Sequence, residues 1–179
     1  ASDRSRGLAP RGVAKSANCA RELVKRGWLP NLILTSDAAR CLETLEAMCD
    51  AEGALRGVNI RIVPEFYDVT HGDEASGKKS KKSISKLVTH ALEDSAPPSA
   101  NAVQTILCIG HNYGFEKAAS RLTGKKVTLK TGDAAVLRLK KPEKFKSEND
   151  GVMWGKEAFE EGAWALEEVV RAPKGKADE

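Results

Sequence analysis

The stretch Gln104-Thr-Ile-Leu-Cys-Ile-Gly-His-Asn-Tyr-Gly114 holds the most apolar run of the chain. An unbroken apolar run of strand length, without polar alternation, predicts a strand covered on both faces, the condition of a strand inside a parallel sheet. Gly110 lets the backbone turn sharply at the strand's end, so His111 stands at its tip. A helix is expected over 115–122, with Ala118, Ala119 and Leu122 inward and Gly124 as its stop. Earlier in the chain, Asn31-Leu-Ile-Leu-Thr35 is a second short apolar run. Ser36 and Asp37 follow it as N-cap types, and Leu42, Leu45, Met48 and Cys49 then recur at helical spacing until Gly53.

The same alternation extends outward. Val13, Ala17, Ala20, Leu23 and Val24 predict one apolar helix face over 10–27, with Pro10 in the first turn and Gly27 as the stop. Asn59 to Val63 reads as a strand closed by Pro64, followed by a polar loop reaching Ser80. Ile84, Leu87, Val88, Ala91 and Leu92 restore a helical period up to the breaker Pro97-Pro98. Ala135, Leu137 and Leu139 alternate with polar neighbours as a half-exposed strand, and 141–150 is loop-like. Over 157–171 the periodicity of Phe159, Ala163, Leu166 and Val170 slightly favours a helix over a strand. Strand-helix alternation predicts an α/β protein with right-handed crossovers, a mainly parallel sheet and helices on both faces.

A length of 179 residues fits one domain, expected over 1–173 with a polar tail over 174–179. With 41% hydrophobic and 30% charged residues the composition is that of a soluble globular protein and not of a disordered one. A net charge of +4 is too small to imply nucleic acid. No run is long and apolar enough for a membrane span. The four cysteines, Cys19, Cys41, Cys49 and Cys108, lack C-x-x-C spacing, which suggests buried thiols in a reducing compartment. No His/Cys cluster has metal spacing and no glycine-rich nucleotide loop is present, so neither metal nor cofactor is expected. The sequence opens at Ala1 without methionine, which fits organelle import followed by cleavage, or trimming, so that a cytoplasmic and an organellar (plastid or mitochondrial) compartment both stay open.

Ligands of parallel sheets gather at the carboxyl ends of the strands. Two such ends carry unusual residues: Ser36-Asp-Ala-Ala-Arg40 and Gly110-His111-Asn112. An arginine one turn into a helix turns its guanidinium back toward a crevice that the helix N-terminus already makes favourable to anions. Beside it, the His111 imidazole can donate to a phosphoryl oxygen or exchange a proton. The blander alternative is an ion-paired Arg40 and a loop histidine.

On these residues a family resemblance rests. Leu34-Thr-Ser-Asp-Ala-Ala-Arg-Cys-Leu-Glu-Thr44 resembles the S-x-A-x-R-x-x-x-T element of the histidine phosphatase (phosphoglycerate mutase-like) superfamily, and Ile109 to Gly114 resembles its G-H-N-P-G element. Arg6-Gly-Leu-Ala-Pro-Arg-Gly12 is similar to the R-P-L-T-x-x-G stretch of the small branch that includes SixA phosphohistidine phosphatases, and Thr131 to Leu139 is similar to its following strand. The resemblance implies a phosphoglycerate mutase-like fold and a terminal strand over 162–173, against the helical periodicity there. It implies Arg40 as the phosphate-binding arginine and His111 as the second histidine acting on the phosphoryl group. Arg6, Asn112 and Ser36 are expected as further phosphate contacts.

The family's nucleophilic histidine comes from an R-H-G motif on a first strand, and that triplet does not occur among these 179 residues. No residue carries over as nucleophile, so the first strand is expected to be absent from this chain and turnover to be very weak. His71, in a loop where the family places crevice residues, is a weak replacement candidate, while His90 falls in an expected helix. Glu65 and Asp68 near the same loop are unassigned acids. Two readings follow: a phosphatase domain acting on phosphomonoesters or phosphohistidine through a phosphohistidine intermediate, whose nucleophile lies elsewhere, or a non-catalytic relative serving as a binding or structural subunit. Expected partners are a phosphorylated small molecule or phosphoprotein, and a protein strand completing the sheet. Tyr113, in place of the family's proline, is expected to pack. Lys78 to Lys82 reads as solvated loop over a contact for phosphorylated or acidic partners, and Met153, Trp154, Phe159 and Trp164 as core or edge packing residues or an interaction patch.

Overall fold

Two parallel ladders of backbone hydrogen bonds set the frame. In the computed structural model, which describes residues 3–71, 84, 86–88, 105–140 and 156–171, strand β1 (Leu32–Thr35) pairs with β2 (Asn59–Ile62) on one side and β3 (Ile106–Ile109) on the other. The β1–β3 register runs from Leu32 opposite Ile106 to Thr35 opposite Ile109. Helix α1 (Pro10–Lys25) precedes β1 in the chain, and α2 (Ala39–Ala51), α3 (Glu65–His71) and α4 (Asn112–Thr123) follow β1, β2 and β3 in turn. Strands β4 (Ala134–Leu139) and β5 (Trp164–Val170) form a separate antiparallel pair. The fold is thus α/β, as expected.

All of β1 is buried, which is why its sequence is apolar without alternation. Ile33 faces Ala20, Leu23, Cys41, Leu45 and Met48 of α1 and α2. Leu32 and Leu34 face the opposite cluster, built on Phe66 of α3, Phe115 and Ala118 of α4, and the helical residues Ile84, Leu87 and Val88. Helices therefore cover both faces. In contrast, β2 is an edge strand with Ile60 and Ile62 exposed.

Several local expectations are corrected. The buried face of α1 is Gly12, Ser16, Cys19, Ala20 and Leu23, so Val13 points outward at 44% exposure. Small residues face inward because α1 packs closely on α2, where Leu42 is also partly exposed. Residues 65–71 form a helix and not a loop: Phe66 and Tyr67 donate backbone bonds to Val63 and Pro64, and Phe66 anchors the turn in the core. Helix α4 begins at Asn112, ahead of the expected start, with His111 as its N-cap. Residues 164–170 are the terminal strand that the resemblance implied, against the helical period, because they pair with β4 across Leu139–Trp164 and Ala134–Val170. The apolar residues of β5 are shared between two faces, which mimics helical spacing. Tyr113 is 59% exposed and does not pack. Phe159 is buried, and Trp164 donates its indole N–H to the Ala158 carbonyl. His90, Lys78 to Lys82, Met153, Trp154 and the 141–150 and 174–179 segments lie outside the described residues.

Gly110 joins β3 to His111 and has no room for a side chain. A Cβ there would stand 2.0 Å from the Phe115 ring, itself held edge-on to Phe66 with centroids 5.3 Å apart. Gly110→Ala is expected to lower stability by about 1–3 kcal/mol through overpacking. Gly53→Ala, whose Cβ meets nothing within 4 Å, is expected to shift it by about 0.5 kcal/mol or less. Urea unfolding midpoints check the contrast, and equal midpoints would contradict it.

Candidate functional site

The β1–β3 ladder continues one residue past β1, where the Ser36 N–H donates to the Ile109 carbonyl at 3.0 Å. This bond sets the two strand ends side by side. Ser36 is fully buried, and its Oγ accepts from the Ala38 N–H at 3.3 Å and lies 3.4 Å from His111 Nε2. Ala38 is the N-cap of α2, so neither Ser36 nor Asp37 takes the expected N-cap position itself. Asp37 is held by Arg4 through bonds of 3.0 and 2.6 Å.

Arg40, in the first turn of α2, turns back over the strand ends. Its Nη2 lies 3.0 Å from His111 Nδ1, although the two residues are 71 apart in sequence. Guanidinium groups only donate, so Nδ1 is the acceptor and the ring proton resides on Nε2, facing Ser36. His111 is 6% exposed, with the Tyr67 ring against it edge-on at 5.1 Å. A buried imidazole held on three sides has one orientation. The Cys41 thiol lies 3.9 Å from Nε2, and burial pushes it up to about 11, leaving it protonated at neutral pH.

The Asp3 carboxylate lies against this group. Arg40 donates to its carboxylate at 3.0 Å and to its backbone carbonyl at 2.9 Å. The Tyr67 hydroxyl donates to the same carboxylate oxygen at 3.3 Å, and Arg6 pairs with the other at 3.1 Å. Arg4 stacks over the Tyr67 ring at 4.9 Å. The hydrogen bond from Arg40 holds the Asp3 carboxyl below the usual range, outweighing an opposing effect of burial. Burial raises the Tyr67 hydroxyl, and the Asp3 charge adds to the rise. The arrangement can hold an anion with convergent donors, and here a carboxylate fills that role.

Of the residues singled out in the sequence, Ser36, Arg40 and His111 meet at one point. Arg6 reaches it through Asp3 and is otherwise exposed. Asn112 does not join: its side-chain amide donates to the Leu129 carbonyl at 2.9 Å, fixing the segment after α4. Glu65 and Asp68 sit on α3, with Asp68 exposed. His71 closes the same helix, and its side chain lies outside the description. Asp3, Arg4 and Tyr67 were missed, because nothing in local spacing distinguishes them. Their roles come from contacts spanning 33 to 64 residues. Among the described residues no group of His, Cys, Asp and Glu could hold a metal ion, and no helix is long and apolar enough to cross a membrane.

Comparison with solved structures places this fold among SixA proteins. The chain superposes with a TM-score of 0.62 on the Agrobacterium tumefaciens structure assigned as phosphohistidine phosphatase SixA, at 21% identity, covering 96% of this chain and 86% of that one. For the Nakamurella multipartita counterpart the TM-score is 0.61 at 21% identity, with coverage of 96% and 87%. Against a protein histidine phosphatase SixA complexed with tungstate it is 0.56 at 22% identity, covering 78% and 79%. No protein-family model matches. In sequence, the chain is 36% identical over 171 residues to a protein of Arabidopsis thaliana described as uncharacterized and chloroplastic, spanning 94% of this chain and 68% of the plant protein. The chain belongs to the family of that plant protein, and its fold is that of the SixA phosphatases.

An incoming anion must displace Asp3 from Arg40. Asp3→Asn is therefore expected to bind tungstate several-fold more tightly than the unaltered chain at pH 7, read by titration calorimetry; equal or weaker binding would contradict the competition. Because its carboxyl is held low, the Asp3 contact is intact above the ordinary carboxylate range and is lost only as pH falls through the lowered value. A side-chain NMR titration of Asp3 is expected to show a midpoint below the usual Asp value.

Proposed function

We propose that this chain is the phosphate-recognising part of a SixA-like phosphatase that hydrolyses phosphomonoesters or phosphohistidine through a phosphohistidine intermediate. The observation that carries this reading is Arg40 bridging His111 and a carboxylate at the end of a parallel sheet. A phosphoryl group offers more acceptor oxygens than a carboxylate at the same donors. Arg40 and Arg6 would neutralise its charge, and the helix N-terminus behind Arg40 adds to the positive field. His111 presents Nδ1 to the Arg40 edge; once Arg40 turns to the phosphoryl group, a ring that takes up a proton at Nδ1 would donate it to a phosphoryl oxygen or steady the charge that builds there. The likeness of fold to SixA proteins supports the assignment.

Hydrolysis through a phosphoenzyme needs a nucleophile in line behind phosphorus, opposite the leaving group. The P–O bond of a phosphomonoester, or the P–N bond of a phosphohistidine substrate, then breaks as a new P–N bond to the enzyme forms and the leaving group takes up a proton, and water later cleaves the enzyme's P–N bond to regenerate the imidazole and release phosphate. Of the three histidines in the sequence, none lies in an R-H-G motif. His111 is occupied on both ring nitrogens, by Arg40 and Ser36. The nucleophile in this reading belongs to a segment other than these 179 residues, and the chain alone turns over very slowly or not at all.

The missing motif equally favours a second reading, a non-catalytic relative that binds a phosphorylated small molecule or phosphoprotein through the same residues. The chloroplastic plant relative supports an organellar setting for either.

Hydrolysis of p-nitrophenyl phosphate by the 179-residue chain is expected to stay near background. Tungstate binding is expected to persist and to weaken about ten- to a hundredfold in Arg40→Ala, since hydrogen bonds to charged groups contribute about 1.5–3 kcal/mol. Rapid Arg40-dependent turnover would contradict the missing nucleophile. Absence of Arg40-dependent anion binding would contradict both readings.

A further inference from the structure

The segment that follows α4 returns along it as a strap. Thr123 Oγ1 donates to the Lys125 carbonyl at 3.2 Å, and Ser120 Oγ accepts from the Val127 N–H at 2.9 Å. Nearer the start of the helix, Glu116 accepts from the Leu129 N–H at 2.7 Å and Asn112 donates to the Leu129 carbonyl at 2.9 Å. Residues 112, 116, 120 and 123 recur at helical spacing, so one row of α4 is a polar rail that fastens the strap by its backbone. Val127 is buried beneath it, while Lys126, Thr128 and Lys130 are exposed. The strap therefore turns alternate side chains to solvent.

The neighbouring row of the helix is Tyr113, Lys117 and Arg121, all exposed. Successive helical residues lie about 100° apart, so this row adjoins the rail and forms one face with the strap. Five basic side chains stand on residues 112–130, namely Lys117, Arg121, Lys125, Lys126 and Lys130, against one acidic side chain, Glu116. The Glu116 carboxylate is turned to the Leu129 N–H. None of the five cations is ion-paired with any of the described residues. Like charges four apart, such as Lys117 and Arg121, destabilise a helix, so the fold itself is not served by their concentration. Helix α1 also carries Arg11, Lys15, Arg21 and Lys25, but Glu22 stands among them and Arg26 pairs with Glu22 and Glu168.

The α4 face begins at the anion site. His111 caps the helix, Tyr113 follows two residues later, and Asn112 binds the strap at Leu129. His111 is 6% exposed and the Arg40 side chain 19%, so the site is recessed and suits an anion carried on a side-chain stem better than an internal phosphodiester. Single-stranded nucleic acid is held by several aromatic side chains interleaved with cations, and this face offers Tyr113 alone.

We infer that α4 and its strap form the docking surface for an acidic stretch of a polypeptide partner. An extended chain with a carboxylate at every second residue repeats at about 6.6 Å. Cations four residues apart on a helix repeat at about 6 Å, so the two charge rows run in step. The acidic residues lie between the Lys117–Arg121 row and Lys126 and Lys130 of the strap, and a phosphorylated side chain at one end of the stretch reaches Arg40. That last contact rests on the proposed phosphatase reading, while the docking rests on the basic face alone.

The test measures binding of a blocked, fluorescein-labelled peptide of alternating glutamate and serine, with five glutamates, to the 179-residue chain. Fluorescence anisotropy is read at about 0.1 M salt, where charges within about 10 Å still interact. Replacing Lys117, Arg121, Lys126 and Lys130 together by glutamate is expected to weaken binding about twentyfold or more, and replacing them by glutamine about fivefold. The same glutamate and glutamine replacements at Arg11, Lys15, Arg21 and Lys25 of α1 change the net charge equally and are expected to weaken it less than about threefold. The glutamine sets keep the comparison where a reversed set fails to fold, as urea unfolding reports. Equal losses from the α4 and α1 sets, or no binding of the peptide by the unaltered chain, would overturn the inference. Tighter binding of hexathymidylate, which has the same number of charges, would overturn it in favour of a nucleic acid. Tungstate binding on the same samples reports the anion site separately, so failure of either reading is seen without the other.

Discussion

The parallel pairing of β1 with β3 is the constraint on which the site depends. Four residue pairs in register, extended by the bond from Ser36 to Ile109, bring two strand ends together that are distant in sequence. The candidate site is built on that edge. Arg40 reaches it because α2 starts there, and His111 because Gly110 ends β3 against the Phe115 ring. Packing on both sheet faces makes the ladder rigid, since Ile33 and Leu34 are buried in opposite cores.

Electrostatics at this edge is unusually one-sided. Arg40, Arg6 and the Tyr67 hydroxyl converge as donors, and the Asp3 carboxylate answers them. Arg4 is neutralised separately by Asp37, so the convergence does not spread into a general basic patch. Since Arg40 donates to His111 Nδ1 and to the Asp3 carboxylate, the same guanidinium sets both the carboxylate contact and the proton position of the imidazole. Arginine suits this double role because its planar fork offers several donors in fixed directions.

The sequence was most readable where one structural demand dominated. The unbroken apolar runs at β1 and β3 announced strands covered on both faces, and the placing of Ser36, Arg40 and His111 at the ends of those strands was legible with them, while the roles expected of these residues came from the family resemblance. Readability failed where distant packing decided. Phe66 draws 65–71 into a helix that its polar neighbours did not suggest, and β4 forces Trp164 to Val170 into a strand against their helical spacing. There the family resemblance carried information that periodicity lacked. Asn112 carried the right motif position, yet its amide is spent on Leu129. Asp3 and Tyr67 could not be found locally, since each matters only through partners far along the chain.

The central claim is that the β1 and β3 ends form a site for a phosphoryl-like anion around Arg40 and His111. A crystal structure of the chain soaked in tungstate tests it most directly. The account predicts the oxyanion on the Arg40 guanidinium, within hydrogen-bond reach of the His111 ring, with Asp3 moved off Arg40. Tungstate bound elsewhere while Asp3 keeps its place on Arg40 would contradict it.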